Sequence, residues 1–382
     1  MAALEDLLSG YVDKGWAPGA VALVARGEEV ETAAVGTRAA GGSAPMTRDT
    51  LFRLASLTKP ITAAAVMLLV DDGRIALDDP VARWLPELAE PRVVRTPRSE
   101  LDDTVPAARP ITVFHLLASQ AGYGLAADFS LPHVRGLFGL QGGSWEPAGF
   151  PLPDTWLARI GEYPLLHHPG DAWLYNTCSD LQGMLVARVT GRPLPEFLAE
   201  RILAPLGMSD TGFSVPSDRR DRFATCYRAD PDGTPVETDR PDGMWSTEPH
   251  FASGAGGLVS TAGDWLAFAR MLLADGAGPD GRRVLSASSV RLMRTDHTTA
   301  AQRAASELFL QGQGWGFGGS VDVDPREPWN SPGRYGWVGG TGTAAHVDPA
   351  TGTVAVLLTQ RLMNGPVPED IMRDFWRYAA RR

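Results

Sequence analysis

Lysine is nearly missing from this chain: among 382 residues only Lys14 and Lys59 are lysine, and arginine carries the remaining positive charge. Cysteine is equally scarce, with Cys178 and Cys226 alone, which gives no disulfide framework. Positive charge also falls short overall, 35 Lys+Arg against 45 Asp+Glu, for a formal net charge of -10. No Lys/Arg-rich block offsets that balance, so a general affinity for nucleic acid or for anionic membrane surfaces is excluded. Long apolar runs are missing too. The longest, Ile61 to Val70, is too short to span a bilayer and runs straight into Asp71 and Asp72. The start, "MAALEDLLSGYVDKGW", carries acids where a secretory leader has a basic end followed by an apolar stretch. The expectation is a soluble, cytoplasmic protein whose oligomeric state the sequence does not give.

What is present suits a globular enzyme-sized chain, with 44% hydrophobic and 21% charged residues. The length allows a large core and either two domains or one domain with a big insertion. Helical spacing covers residues 3–14. Two strand-like runs, Ala20 to Arg26 and Val30 to Val35, form a hairpin around Gly27. An apolar helix follows to about Asp72-Gly73. From about Asp78 to Arg240 the pattern turns to short helices and Pro/Gly-rich loops, clearest as helices at 111–119, 179–191 and 194–207. After a helix in the second half of 254–276, strand signals return at 315–323, 333–340, 343–349 and 353–361, and a last helix covers about Glu369 to Ala380. The economical arrangement is α+β: one antiparallel sheet from both chain ends (1–77 and 241–382), flanked by the terminal helices, with 78–240 inserted as a mostly helical subdomain.

One of the two lysines stands at the mouth of the apolar helix, in "SLTKP" (56–60). As a plain cap, Ser56 would be followed by Glu or Gln at the third position, and a cation there faces the positive end of the helix dipole. Pro60 fits only in or before the first turn, so Ser56 and Lys59 lie at the helix entrance. Spacing of i, i+3 puts both side chains on one face. A lysine near a positive helix end and partly desolvated has its pKa lowered. Once neutral, it can take the serine proton and create a nucleophile, while the Ser56 amide faces the developing oxyanion.

"SLTKP" resembles the Ser-x-x-Lys motif of the serine β-lactamase and penicillin-binding-protein superfamily. "PGDAWLYNTCSDLQGMLVARVTGRPL" (169–194) resembles the family's segment with the catalytic tyrosine, which falls on Tyr175. "SGAGGLVSTAGDWLAFARMLL" (253–273) resembles its Gly-rich strand and helix. "GRYGWVGGTGT" (333–343) stands where the family has Lys-Thr-Gly, and "ITVFHLLASQAGY" resembles another shared segment. The likeness runs along nearly the whole chain in the right order and implies a β-lactamase/transpeptidase-like fold.

Trp337-Val338-Gly339 replaces the Lys-Thr-Gly pattern, as in the class C β-lactamase-like esterase branch (family VIII carboxylesterases). An apolar wall in place of a cation suits a neutral ester better than a carboxylate. In Tyr175-Asn176-Thr177 the usual asparagine position holds Thr177, and Asn176, one residue early, is expected to point elsewhere. The resemblance implies Ser56 as nucleophile, Lys59 and Tyr175 as proton shuttle, and the amides of Ser56 and Gly340 as oxyanion hole. It implies Trp337 and Thr177 at the substrate pocket, with Gly339 and Gly340 small so that ligand approaches the strand. A small-molecule ester is the expected substrate. No metal and no cofactor are expected, since adjacent His167 and His168 diverge and Asp171 supplies no ligand set with them. No Gly-x-Ser-x-Gly elbow occurs, Cys178 reads as packing, and "GQGWGFGG" lacks a phosphate-loop ending. Trp145 and Trp156, in a long 121–156 loop region, are expected to shape access. The alternatives are an acyltransferase that uses another alcohol, a β-lactamase or D-aminopeptidase, and a non-catalytic binding scaffold.

Overall fold

The structure is a computed structural model that describes residues 3–140 and 147–381. Its centre is a seven-stranded antiparallel sheet with spatial order Glu29–Gly36, Gly19–Arg26, Thr353–Thr359, Thr343–Asp348, Tyr335–Gly339, Ser320–Val321, Gly314–Trp315. The chain ends meet in the middle of it: Leu23 is paired with Val356 and Ala20 with Thr359. Strand Thr353–Thr359 is buried along its whole length and Gly19–Arg26 everywhere but Arg26. Their near-continuous apolar runs fit strands covered on both faces. Leu4–Val12 and Asp370–Ala379 pack on each other and on the sheet, and Ala262–Leu273 also packs against its central strands.

The sheet's far edge differs from the single strand expected over 315–323. It is two two-residue strands joined by a turn in which Gly318 has φ +79°. A Cβ there would lie 2.6 Å from the Lys59 carbonyl oxygen, so this glycine lets the sheet edge rest on the helix that carries the lysine. That helix, Thr58–Asp71, is buried from Thr58 to Leu69 and is apolar all round, which fits a core position. Pro60 falls in its first turn, where a missing N–H leaves no acceptor unserved.

Between the two sheet-forming stretches, helix Thr177–Thr190 ends on Gly191 at φ +71° and packs on Thr58–Asp71. The helix expected over 111–119 is only Val113–Leu117, and 194–207 contains a π segment at Ala199–Leu203. The 121–156 region holds helices Pro132–Leu140 and Pro153–Glu162 as well as loop. Trp156 lies in the second of these, fully buried against Phe251, so it is core and not an access residue. Trp145 lies outside the described residues. No helix among the described residues is long and apolar enough to cross a membrane.

Candidate active site

Ser56 sits in the single 3-10 turn Ala55–Leu57 that leads into helix Thr58–Asp71. The preceding Ala55 has φ +45°, a left-handed conformation unfavourable for a residue with a Cβ, and such strain is concentrated at functional sites. The turn lifts Ser56 to the floor of a cavity of about 380 Å³. Leu125, Phe138, Phe150, Trp245 and Phe251 supply its apolar walls; Tyr175, Asn176, Ser253 and Gly340 line it beside the serine.

Two groups converge on the serine hydroxyl. Lys59 Nζ lies 2.8 Å from Ser56 Oγ, and the Tyr175 hydroxyl donates to the same oxygen at 2.8 Å. Lys59, only 1% exposed, has two further partners, Asn176 Oδ1 at 2.8 Å and the Ala255 carbonyl at 2.7 Å. Both are pure acceptors. They take the two N–H groups of a neutral amine and leave its lone pair directed at the serine hydroxyl. Burial brings the Lys59 pKa down to about 7, against the opposing pull of the Asp180 carboxylate. Burial raises the Tyr175 pKa, opposed by its hydrogen bonds to Ser56 and Trp337, so the phenol keeps its proton. The lysine is thereby the better base of the two and the tyrosine the better donor.

Asn176 does not point elsewhere. It has φ +83° and ψ -69°, and the Thr177 amide donates across it to the Tyr175 carbonyl at 3.3 Å, a three-residue γ-turn. The turn swings the side chain back to Lys59, which spacing along an extended segment does not foresee. Thr177 is instead fully buried at the start of its helix and does not appear among the cavity-lining residues.

Two further expectations change. Trp337 is 4% exposed and is not one of the residues lining the Ser56 cavity. Its indole N–H donates to the Tyr175 hydroxyl at 2.8 Å. Occupying that oxygen's lone pair leaves the tyrosine proton for Ser56. Gly339 serves the protein and not a ligand: a Cβ would stand 2.2 Å from Thr343 Oγ1 and 2.3 Å from the Leu54 carbonyl oxygen. It lets the strand end close on the segment before Ser56. Gly340 has open space at its Cβ position and lines the cavity; its carbonyl is held by the Met363 amide at 2.8 Å.

Neither Asp180 nor the Ala255 carbonyl carries a signal in the sequence. His168 accepts from the Ala108 amide, and Asp171 pairs with Arg109. Cys178 is buried, its thiol pushed up to about 12, which removes it as a nucleophile at neutral pH.

The chain matches the Beta-lactamase family over residues 4–375. It belongs to that family. A Mycobacterium tuberculosis protein, Rv1367c, is 42% identical over 357 residues, covering 91% of this chain and 87% of that protein. Esterase EstB of Burkholderia gladioli is 34% identical over 375 residues, covering 91% and 88%. Among solved structures, EstCE1, described as a hydrolase with promiscuous acyltransferase activity, superposes with a TM-score of 0.79 at 26% identity, covering 98% of this chain and 96% of that one. The α+β, β-lactamase/transpeptidase-like fold expected from the motifs is the fold of these relatives.

Proposed function

We propose that this protein is a serine hydrolase that cleaves carboxylic esters through an acyl-enzyme on Ser56. The observation that carries the reading is the placing of one hydroxyl between a neutralisable lysine and a protonated tyrosine, both at 2.8 Å. Ser56 Oγ attacks the ester carbonyl as its proton passes to the Lys59 lone pair. The amide of Ser56, in a helix's first turn where N–H groups lack intrahelical acceptors, and that of Gly340 stabilise the oxyanion. The tetrahedral adduct collapses as the leaving alkoxide receives a proton from Tyr175, which regains one from Lys59. Water then attacks the acyl carbonyl as its proton passes to Lys59, and Ser56 Oγ leaves as it takes a proton back from Lys59, releasing the carboxylic acid. In this reading the substrate lies in the cleft where the 78–240 part meets the sheet part.

The substrate class follows from the walls. Leu125, Phe138, Phe150, Trp245 and Phe251 favour an apolar, uncharged substrate, and Trp337 stands in the family's lysine position without a charge to offer a carboxylate. The name of esterase EstB agrees with ester chemistry, and the description of EstCE1 with hydrolysis. EstCE1 also supports a second reading, in which an alcohol replaces water in the second step.

Hydrolysis of p-nitrophenyl acetate and butyrate beside a chromogenic cephalosporin, by wild type and Ser56→Ala, tests the proposal. Ester turnover lost in the variant, with little cephalosporin cleavage, is the expected result. Dominant cephalosporin turnover would reverse the substrate assignment. The rate is expected to fall as pH drops below about 7, where Lys59 takes a proton and loses its lone pair.

A further inference from the structure

Behind the groups that touch the serine lies a carboxylate with an unusual environment. Asp180, on the first turn of helix Thr177–Thr190, is 1% exposed. Its Oδ1 accepts from Ser253 Oγ at 2.7 Å and from the Ala255 amide at 3.1 Å, while Oδ2 has no hydrogen-bond partner among the described residues. Ala255 turns its other side to Lys59, offering its carbonyl to Nζ at 2.7 Å. One peptide segment is thus gripped by the carboxylate on its amide side and grips the lysine on its carbonyl side. It has little room to move: a Cβ on Gly254 would stand 2.4 Å from the Ser179 carbonyl oxygen and 2.9 Å from Thr62 Cγ2.

A buried carboxylate with one oxygen unserved is a costly way to hold an amide and a hydroxyl, because any neutral acceptor would do so without the desolvation of a charge. What the charge adds is its field on a neighbouring cation. We propose that Asp180 is a positioning residue for Lys59: by holding the Ala255 amide it fixes the Ala255 carbonyl against Nζ, and it sets a buried carboxylate behind the base. Burial alone would drive Lys59 lower; Asp180 pulls it back up, toward neutrality. The carboxyl of Asp180 is itself raised by burial and held down by Ser253, Lys59 and Ala255. The other titratable groups facing the pair are Tyr175, whose ring centroid is 4.7 Å from Nζ, and Cys178 on the Asp180 helix, both raised by burial and neutral. From the other elements packed here, the 253–255 segment contributes a hydroxyl and backbone groups, and the Gly318 turn meets the Lys59 backbone.

The proposal rests on reading Lys59 as the base, yet its test does not need turnover. With only two lysines in the chain, selective ¹³Cε-lysine labelling gives two side-chain signals, and the one lost in Lys59→Arg is Lys59. In wild type that signal is expected to titrate about 7. Asp180→Asn, and Asp180→Ser should Asn not be tolerated, both remove the charge and are expected to move the titration down by on the order of one unit. The acid limb of kcat/KM for p-nitrophenyl butyrate is expected to move down with it, whereas a merely structural loss would lower the rate and leave the limb in place. An unmoved Lys59 titration in whichever neutral variant folds overturns the proposal. A moved titration in a protein with no ester turnover keeps the role of Asp180 and discards the ester reading instead.

Discussion

Arg53 and Lys59 lie on one short stretch of chain, both buried, each near a buried carboxylate, and they are used in opposite ways. Arg53 grips Asp239 with Nε at 2.8 Å and with a second guanidinium nitrogen, donates to the Ala224 carbonyl at 2.6 Å, and stacks 3.9 Å over the Phe223 ring. A guanidinium stays charged in any protein environment, so this pair is permanent. Lys59 forms its hydrogen bonds with neutral acceptors and the serine, and its carboxylate neighbour bonds to Ser253 and Ala255. An ammonium so placed can lose its proton. The contrast teaches that burial of a cation is ambiguous until the side chain and its partners are both known: a guanidinium on a carboxylate keeps its charge, and an amine among neutral acceptors and a hydroxyl can release its proton.

The sharpest way to break the contrast is to make the second site resemble the first. Lys59→Arg keeps a positive charge but supplies no base, so kcat/KM for p-nitrophenyl esters is expected to fall by about 10²–10⁴-fold. Circular dichroism should show a folded chain; near-normal turnover would mean that the base lies elsewhere. The reverse experiment is Arg53→Met. It strands Asp239 in the interior and is expected to cost about 3–5 kcal/mol of stability in chemical denaturation. Arg53→Met with Asp239→Leu should recover most of that loss, because an apolar pair of similar volume replaces a buried ion pair at little net expense. A single variant as stable as wild type would show that Arg53 is not the fixed member of the comparison.

The legible part of the site was the part that involved choice of residue type. A chain almost without lysine that places one beside Pro60, three residues after a serine, draws attention to that pair, and Tyr175 joins it through the resemblance of the ordered motifs. What was hidden depends on backbone shape. The place of Asn176 is hidden because a γ-turn, which sequence spacing treats as one ordinary step, redirects its side chain to Lys59. The role of Trp337 is hidden because an indole in a strand shows its area in the sequence and not the aim of its N–H. Asp180 left no trace, since a lone aspartate in the first turn of a helix is an ordinary helix-dipole partner. The fold shows the same division. The two end-derived halves of the sheet followed from apolar runs, while the split at Gly318 required knowing that a helix passes beneath it.

The smallest predicted effect separates Trp337 from the lysine. Trp337→Phe keeps an aromatic ring but removes the N–H that the Tyr175 hydroxyl accepts, together with part of the indole's bulk. A hydrogen bond of this kind contributes about 0.5–1.5 kcal/mol, so kcat/KM is expected to drop by about two- to tenfold. The sign of the pH effect is more telling than its size. The indole bond favours the phenolate and lowers the Tyr175 pKa, so its loss pushes that pKa further up and carries any alkaline limb to higher pH. The acid limb, which belongs to Lys59 and its burial, should stay in place. If the acid limb moved instead, Trp337 would be acting on the base and the division of labour between tyrosine and lysine would be wrong. If cephalosporin turnover rose with no change in either limb, the indole would be excluding anions by its bulk, and its bond to Tyr175 would be incidental.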